Sequence, residues 1–414
     1  MHCVVIGAGI VGTTTALALA RRGFEVDVVD SENGVAQGAS HANAGLISPG
    51  HCFSWAEPGI LPVMLRSAMG QDAGLGVCQP WSPRLWRWAL MFASQSTLKR
   101  WQHNSKAAMD LAGYSRQQLF AQPEIAMGRY GGRDNGIVYL YAPNQKARAH
   151  ELSLLDDAGM RHELLDPAAL LHLDPMLSGL GSIFGSAVYC PGDATGDAAK
   201  FCLAASIEAQ RLGARFHFDE ALKSITYSSN RISSVTTTRR KLATDAVVIC
   251  AGVASGSLLK TLGHSLPIYP VSGYSITYHV EAKDAPRIGA VSVPHKIAWA
   301  HLGEQSLRFT GFADVGVPSE NRARARITAL QQFALQVCPA VAGLAATEWI
   351  GQRPMTPDGL PIIGRGHQAN LWLNCGHGAM GWTNACGSAQ LMTDMIEGHP
   401  TAIDTEPYAL HRFD

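Results

Sequence analysis

The sequence predicts an α/β protein with two domains, each assembled from separate stretches of the chain. The chain has 414 residues, which is more than one hydrophobic core usually serves. Its first residues, about thirty in number, read strand, turn, helix and strand. Similar elements return in the middle and at the end, whereas the stretches between them are patterned mainly as β-strands. Because no Ser/Gly/Pro linker separates these blocks, we expect interleaved rather than consecutive domains.

The composition excludes several classes of protein. Hydrophobic residues make up 47% of the chain and charged residues 16%, which excludes disordered, coiled-coil and collagen-like structures. Lys and Arg balance Asp and Glu at 33 each, so no basic field attracts nucleic acid. The nine cysteines occur singly, without C-x-x-C or zinc spacing. We therefore expect a reducing compartment, a cytoplasmic location and no metal.

The opening elements are a strand from Cys3 to Ile6, a helix from Val11 to Arg22, and a second strand from Val26 to Asp30. β-branched residues dominate the strands, and the helix has apolar residues at helical spacing until Gly23 ends it. Together these elements form a βαβ unit.

The turn of this unit, Gly7-Ala8-Gly9-Ile10-Val11-Gly12, matches G-x-G-x-x-G. Gly7 permits the tight turn, Gly9 lets the backbone approach a pyrophosphate, and Gly12 lets helix and strand pack closely. Asp30 lies 18 residues after Gly12, where a carboxylate accepts both hydroxyls of an adenosine ribose. The unit therefore predicts a site for FAD or NAD and disfavours an NADP-type phosphate.

The later elements follow from apolar periodicity for helices and from β-branched runs for strands. One helix has Asp197 as its N-cap and Gly213 as its stop. The predicted helices span residues 86–99, 105–119, 197–212, 319–337 and the tail up to 397, and the predicted strands span 215–218, 222–227, 232–238, 246–250 and 371–374.

A second G-x-G-x-x-G motif, Gly376-His377-Gly378-Ala379-Met380-Gly381, stands between the last strand and the last helix. No second strand ending in an acid follows it, so a second dinucleotide is not predicted. We expect the N-terminus of this helix to point its free N–H groups at another electron-rich group, with a plain structural turn as the alternative.

Five motifs, the last of which includes the second G-x-G-x-x-G, extend over nearly the whole chain. They are Ser40 to Gly50, Gly192 to Asp197, Tyr269 to Ser275, Gly351 to Gly359 and Gly376 to Thr383. With them the sequence resembles the FAD-dependent D-amino-acid dehydrogenases, which belong to the larger group of D-amino-acid oxidase and glycine oxidase. The resemblance implies an α/β fold with a Rossmann-like FAD-binding domain and a discontinuous α+β substrate-binding domain. Residues 1–50, 190–256 and 350–414 would form the first domain, and residues 51–189 and 257–349 the second.

The resemblance also implies oxidation of D-amino acids. A hydride passes from the substrate α-carbon to N5 of the flavin, the resulting imine is hydrolysed to a 2-oxo acid, and a quinone or respiratory acceptor takes the electrons. Cyclic substrates such as D-proline or cis-4-hydroxy-D-proline are a narrower option that the sequence leaves open. The alternatives are a sarcosine/glycine-type amine oxidase that uses dioxygen, and a flavin-bearing electron-transfer subunit of a hetero-oligomer.

Two of the three catalytic candidates follow from the resemblance, and the third, His51, is a departure from it. Arg353 matches the arginine that pairs with the substrate carboxylate, with a structural ion pair to Asp358 as the alternative. Tyr274 is a candidate second substrate contact or else a packing residue. His51 is a candidate for selecting or deprotonating the substrate amine; it and His295 stand where these dehydrogenases carry other residues, although a lone histidine is more often structural.

The cofactor-binding candidates come from the first motif and the resemblance together. They are Gly7, Gly9, Ile10, Val11, Gly12, Asp30, Ser31, Ser40, His41, Asn43, Ala44, Gly45, Leu46, Ile47, Ala251, Gly252, Gly378, Ala379, Met380, Gly381, Trp382 and Thr383.

A Trp-rich amphipathic stretch runs from Trp81 to Arg100. One interpretation is a contact with the membrane surface, peripheral at the inner face of the cell membrane, which suits delivery of electrons to a quinone. The alternative is a core helix that roofs the site, since only two basic residues cluster at its end.

Overall fold

The structure is a computed structural model that describes residues 1–68, 74–180, 183–260, 263 and 265–413. Within these ranges the chain has the predicted α/β character, with two large sheets and their covering helices. The α-helices of the described residues are α1 (Ile10–Arg21), α2 (Ile60–Ala68), α3 (Pro83–Gln95), α4 (Leu98–Phe120), α5 (Ala149–Asp157), α6 (Pro167–Leu173), α7 (Ala198–Arg211), α8 (Ser255–Lys260), α9 (Glu320–Val337) and α10 (Gly381–Glu397).

The strands are short in the first half of the chain and longer in the second. In order they are β1 (His2–Ile6), β2 (Glu25–Val29), β3 (Leu46–Ile47), β4 (Leu75–Val77), β5 (Ile137–Tyr141), β6 (Glu163–Leu165), β7 (Ser186–Cys190), β8 (Ala194–Thr195), β9 (Arg215–His217), β10 (Leu222–Ser228), β11 (Arg231–Thr237), β12 (Lys241–Ala243), β13 (Ala246–Ile249), β14 (Tyr269–His279), β15 (Gly289–Ser292), β16 (Ile297–Leu302), β17 (Ser306–Val315), β18 (Ala346–Met355), β19 (Ile362–Arg365) and β20 (Leu371–Cys375).

The first sheet contains the opening βαβ unit. Its strand order is β19-β20-β13-β1-β2-β9, and all neighbours run parallel except β19 and β20. The apolar runs of β1, β13 and β20 are buried because a parallel sheet is covered on both faces. The predicted strands at 246–250 and 371–374 are thereby confirmed. The predicted strands at 222–227 and 232–238 are also confirmed, and they pair as a hairpin that begins the antiparallel sheet β10-β11-β12.

Capping side chains, one of which was predicted, explain where two of the helices begin. Oδ1 of Asp197 accepts from N of Ala199 at 2.9 Å, which confirms it as the N-cap of α7. The predicted boundaries at 86–99 and 105–119 are wrong, because α3 ends at Gln95 and α4 already begins at Leu98. The reason is Thr97, whose side chain caps α4 by accepting from N of Arg100.

The second sheet has the order β18-β14-β17-β16-β15-β5-β7-β6, with β4 beside β17. Buried side chains of α9, β14 and β17, among them Leu330, Ile276 and Phe309, form the core behind it. The predicted boundary at residue 350 falls inside β18, which belongs to this sheet. Arg353 therefore lies on a strand of the second sheet.

Helix α4 lies in the stretch assigned to the substrate-binding domain, yet it packs with the helices of the first sheet. N of Gly387 on α10 donates to Oγ of Ser115 on α4 at 2.9 Å. A Cβ on Gly387 would lie 2.8 Å from Cα of Ser115, so glycine permits this close helix crossing. The division of the chain into domains remains a prediction.

Candidate active site

A large cavity lies where the two sheets meet, lined by the carboxyl ends of β1, β2 and β13 and by β14, β17 and β18. Its volume is about 1680 Å³, against roughly 300–1,000 Å³ for ordinary small-molecule sites. The carboxyl ends of parallel strands are the usual place for a ligand in an α/β fold. The space suits an extended cofactor with a small substrate beside it.

The glycine-rich turn between β1 and α1 forms one wall of this cavity. Gly7 has a φ of +107°, and a Cβ there would lie 2.6 Å from O of Cys250. A Cβ on Gly12 would lie 1.8 Å from O of Gly7. Only glycine fits at both positions, and the resulting turn brings the N-terminus of α1 to the cavity.

Two side chains from other parts of the chain hold the backbone of this turn by hydrogen bonds. Oγ of Ser40 accepts from N of Ile10 at 3.0 Å. The Asp30 carboxylate accepts from N of Ala8 at 2.5 Å and from N of Glu32 at 2.9 Å. Both side chains also line the cavity, so each combines a structural bond with a position beside the ligand space.

The loop from Asn43 to Leu46 is held by an ion pair that sequence reasoning missed. Oδ1 of Asn43 accepts from N of Gly45 at 3.0 Å, and Gly45 has a φ of +71°. Behind the loop, Arg308 donates to O of Asn43 at 3.2 Å and to Asp197 at 3.0 Å. Both charged side chains are buried. No local motif predicts Arg308, because it lies within β17, outside every motif of the sequence.

The second glycine motif lies at the N-terminus of α10. Gly378 has a φ of +53°, and a Cβ there would lie 2.8 Å from Sδ of Met355. Trp382 donates from Nε1 to O of Gly196 at 3.0 Å. His377 is buried against Ser388 at 3.2 Å, and burial lowers its pKa to about 3. The imidazole is therefore neutral, and the helix end alone supplies positive character here.

The structure gathers most of the predicted cofactor-binding residues around this one cavity. Among the described residues, Gly12, His41 and Ile47 are the predicted ones outside its lining. Gly12 acts through packing, Ile47 is buried in β3, and the ring of His41 lies 4.4 Å from that of Trp349. Those that line it are Gly7, Gly9, Ile10, Val11, Asp30, Ser31, Ser40, Asn43, Ala44, Gly45, Leu46, Ala251, Gly252, Gly378, Ala379, Met380, Gly381, Trp382 and Thr383.

Arg353 reaches the cavity from β18. Its Nη1 donates to O of Phe312 at 2.9 Å, and its guanidinium carbon lies 5.8 Å from the ring centre of Trp55. In the ranges that the structure describes, no acidic side chain lies within ion-pair distance of it; Asp358, the predicted alternative partner, pairs with Arg412 at 2.7 Å instead. Burial lowers the pKa of Arg353 to about 10, which leaves it cationic at neutral pH.

Tyr274 also lies at the cavity, but its hydroxyl is engaged elsewhere. It donates to Oδ2 of Asp314 at 2.6 Å, and the same carboxylate accepts from Arg322 and Arg326. Burial and the bond to Asp314 raise the pKa of Tyr274. This geometry favours the packing role of Tyr274 over the predicted substrate contact.

His51 lines the cavity at a different point. Its ring stacks on that of Tyr139 with centres 4.3 Å apart, and the Tyr139 hydroxyl donates to Asp193 at 2.5 Å. Burial, with nearby Lys296, lowers the pKa of His51 to about 4. Burial also raises the pKa of Asp193 to about 7, although bonds from Tyr139 and Gly50 act to lower it. His51 is therefore neutral at pH 7 and able to accept a hydrogen bond.

His295 lies apart from these groups. Its Nδ1 is 2.8 Å from Oγ of Ser292, and its ring lies 5.2 Å from that of Phe333. Within the described ranges it is not part of the cavity lining. These contacts give His295 a structural role.

One face of the Trp-rich stretch is buried, and the other face is exposed to solvent. Leu85, Trp88 and Phe92 of α3 are buried, and Trp88 donates from Nε1 to O of Met355 at 3.1 Å. On the other side Trp81 is 90% exposed and Trp86 is 58% exposed. The roofing helix and the exposed aromatic surface are thus both present. Among the described residues, no helix is both long and apolar enough to span a bilayer.

Comparison with known proteins identifies relatives that match this chain over its full length. A family model described as FAD dependent oxidoreductase matches residues 2–395. The chain is 37% identical over 417 residues to a D-amino acid dehydrogenase of Rhizorhabdus wittichii, which covers 100% of both chains. It is 35% identical over 419 residues to a D-amino acid dehydrogenase of Rhizobium rhizogenes, again over 100% of both.

Solved structures share the architecture. A glycine oxidase from Geobacillus kaustophilus is similar with a TM-score of 0.72 and 21% identity, covering 99% of this chain and 97% of that one. An L-proline dehydrogenase from P. horikoshii is similar with a TM-score of 0.75 and 18% identity, covering 100% and 97%. These likenesses concern the fold and confirm the predicted α/β class. The chain therefore belongs to the FAD dependent oxidoreductase family, and its cofactor is FAD.

Proposed function

We propose that this enzyme oxidises D-amino acids and that Arg353 holds the substrate carboxylate beside the flavin. The observation that carries the proposal is the environment of Arg353, a cation at the cavity with no acidic partner in the described part of the chain. A guanidinium binds a carboxylate through two parallel hydrogen bonds. Such a charge-assisted contact contributes about 1.5–3 kcal/mol. The relatives named D-amino acid dehydrogenase support the D configuration.

The opposite part of the cavity fits FAD. Gly9 and Ile10 in the first turn of α1 would face the pyrophosphate, and Asp30 the adenosine ribose. The N-terminus of α10, from Gly378 to Gly381, would face the flavin, where a helix N-terminus favours negative charge. When bound, FAD supplies the ring that accepts the hydride.

His51 is the proposed partner of the substrate amine. With a pKa of about 4 the imidazole is a weak base but a competent hydrogen-bond acceptor, so we assign it orientation of the amine rather than its deprotonation. Aromatic side chains of the cavity lining, among them Trp55 beside Arg353, provide apolar walls. Such walls suit compact apolar side chains, including the rings of D-proline and cis-4-hydroxy-D-proline.

We further propose a quinone as electron acceptor and a peripheral contact with the membrane that contains it. The support comes from α3 and the residues before it. Trp88 lines the cavity, whereas Trp86 and Leu90 of the same helix are exposed, Leu90 by 71%. The exposed Arg84 and Arg87 complement anionic headgroups, and aromatic side chains favour the interface.

Anaerobic mixing of the purified protein with D- and L-amino acids tests the reaction. The panel includes D-proline and cis-4-hydroxy-D-proline, and loss of flavin absorbance is followed in time. We expect rapid loss with D-compounds only. Loss with L-compounds alone contradicts the proposed configuration, and no loss with any of them favours the electron-transfer subunit. Hydrogen peroxide formed at the rate of turnover under air favours the amine oxidase.

A further inference from the structure

We infer that Phe312 is a positioning residue whose backbone carbonyl sets the plane of the Arg353 guanidinium, and that Arg326 and Asp314 hold Phe312 in the conformation this requires. The inference rests on the proposed role of Arg353 in binding the substrate carboxylate. It adds residues outside every motif that the sequence presents.

The first observation is an irregularity in the second sheet. Ser272 of β14 pairs with Asp314 of β17, but Tyr274 pairs with Gly311. Two steps along β14 therefore oppose three steps along β17, which is a β-bulge. Phe312 lies in this bulge with a φ of +62°. A bulky side chain rarely adopts that region, so the surroundings must hold it there.

The second observation is what the bulge does to the backbone. N of Phe312 donates to O of Lys296 at 3.0 Å, while its carbonyl accepts from Nη1 of Arg353 at 2.9 Å. In a regular ladder this carbonyl would bond to a neighbouring strand. Gly273 completes the arrangement, because a Cβ there would lie 2.5 Å from Nη2 of Arg353. One N–H of the guanidinium is thus fixed by the protein, and its packing against Gly273 restricts rotation about that bond, so the two contacts together set the plane of the group.

The third observation is the group of side chains behind Phe312, which we name the Asp314 cluster and define as Asp314, Tyr274, Arg322 and Arg326. The fully buried carboxylate of Asp314 accepts from all three other members. These donors lower the pKa of Asp314 to about 2, although burial alone would raise it. The carboxylate therefore stays ionised and keeps both arginines in place.

The Asp314 cluster reaches Phe312 through two ring contacts. The guanidinium carbon of Arg326 lies 4.5 Å from the centre of the Phe312 ring, which is cation–π geometry. The ring of Tyr274 meets the same ring edge-on at 6.4 Å. Both contacts hold the Phe312 side chain in place. They thereby keep its backbone at the positive φ that it would otherwise leave. The cluster is thus connected to Arg353 through one residue, Phe312.

Two substitutions separate the backbone of Phe312 from its ring. Phe312→Asn removes the ring but tolerates a positive φ, whereas Phe312→Val resists it because Val is β-branched. The probes are the D-amino acid that reduces the flavin fastest and its primary amide, and the dissociation constant of each is read from anaerobic flavin reduction. We expect Phe312→Val to weaken the amino acid about tenfold and Phe312→Asn no more than about threefold. The affinity for the amide should change by less than about twofold in both variants. Equal effects of the two substitutions, or equal losses for acid and amide, would overturn the inference.

A double-mutant cycle with Arg353→Ala distinguishes this inference from the proposed function. If Phe312 acts through Arg353, Phe312→Val adds less than about twofold to the loss in the Arg353→Ala protein. Additive losses would overturn the positioning role. If Arg353→Ala by itself leaves the affinity for the D-amino acid unchanged, the proposed carboxylate site fails instead. Should Phe312→Val not retain flavin, Arg326→Lys replaces it, since it keeps the charge beside Asp314 but loses the planar contact; an unchanged affinity for the amino acid would then overturn the inference.

Discussion

The two walls of the cavity are built from different parts of the polypeptide. The flavin wall, defined as the turn Gly7 to Gly12, the loop Asn43 to Leu46 and the N-terminus of α10, consists mainly of glycines and backbone groups. The substrate wall, defined as Arg353 and Phe312 with the Asp314 cluster behind them, consists of charged and aromatic side chains on three strands and a helix. The flavin wall excludes side chains, whereas the substrate wall requires them.

This difference determines how each wall fails when it is changed. A side chain added at Gly7 or Gly12 of the flavin wall meets backbone, which cannot move aside, so the fold and the cofactor should be lost together. Removing a side chain from the substrate wall leaves the fold intact but deletes a charge or a contact that orients one. Substrate binding should therefore be weakened while the cofactor stays bound. Flavin content and substrate affinity are therefore the two quantities that separate the walls.

The largest effect is expected from Gly12→Ala in the flavin wall. The added Cβ would lie 1.8 Å from O of Gly7, although alanine is otherwise the best helix former. We expect a loss of about 3 kcal/mol or more in the free energy of unfolding and little or no bound FAD. Flavin absorbance per protein and denaturant unfolding measure both. Gly192→Ala is the matched control, because nothing lies within 4 Å of its Cβ; a Gly12 variant as yellow and stable as this control would contradict the steric account.

The next effect in size is expected from Arg353→Ala in the substrate wall. Loss of about 1.5–3 kcal/mol of charge-assisted binding corresponds to a rise of roughly 10- to 150-fold in KM for the amino acid, with FAD content unchanged. Arg353→Lys should recover only part, since lysine lacks the planar fork. Steady-state kinetics with a dye acceptor measure this rise.

Arg365→Ala is the matched control for Arg353→Ala. Arg365 also lies over a tryptophan, with 4.8 Å between its guanidinium carbon and the Trp372 ring centre, but it is exposed. Its removal should leave KM unchanged. If both variants raise KM by the same factor, the loss of a positive charge explains the rise, and Arg353 is not the group that binds the substrate carboxylate.

A smaller effect on the free energy of unfolding, one that depends on pH, is expected from the buried carboxyl group of Asp193. Asp193 accepts from N of Gly50 at 2.8 Å and from the hydroxyl of Tyr139 at 2.5 Å. Because its pKa is raised from 3.8 to about 7, the folded state keeps a proton that the unfolded state releases. The free energy of unfolding should therefore fall as pH rises from about 4 to 7, by up to about 1.4 kcal/mol per pH unit. Asp193→Asn should remove this slope in urea unfolding.

Tyr139→Phe sharpens the same measurement. It deletes a hydrogen bond that acts to lower the pKa of Asp193 while keeping the ring on which His51 stacks. The pH window of falling stability should then extend further upward. Identical slopes in wild type and Asp193→Asn would show that this carboxyl does not carry the linkage.

The contrast between the walls also explains what could be predicted from the sequence. The glycine turn of the flavin wall is formed by residues that are neighbours in sequence, so Gly7, Gly12 and the helix after them are visible as a motif. The cap at Asp197 is visible for the same reason. The local sequence did not predict the break between α3 and α4, because a single threonine such as Thr97 is a weak signal for a helix start inside an amphipathic stretch.

The substrate wall could be predicted only in part, because its contacts join strands that are distant in sequence. Arg353 followed from a resemblance, but its partner Phe312 lies 41 residues away on a strand that meets it through β14. The same limit applies behind the flavin wall, where the ion pair of Arg308 and Asp197 spans 111 residues. Tyr274 shows the consequence: the resemblance made it a candidate substrate contact, but its hydroxyl partner Asp314 on the neighbouring strand favours a packing role.

The smallest effect on stability is expected at the exposed face outside both walls. Replacing Trp81, Trp86 and Leu90 by serine removes apolar surface that is already in solvent, so the free energy of unfolding should change by about 0.5 kcal/mol or less. The same variant should sediment at least about tenfold less with vesicles that contain anionic lipid. Its turnover with a water-soluble dye should equal that of wild type, and its turnover with a quinone in those vesicles should fall.

A second triple variant decides whether this surface is specific. Serine at Leu203, Leu335 and Leu344 removes exposed apolar side chains that lie on other parts of the molecule. This control should leave both vesicle binding and quinone turnover as in wild type. If it lowers them as much as the first variant, general surface hydrophobicity explains the binding. In that case α3 serves only to cover the cavity, and the acceptor must reach the flavin by another route.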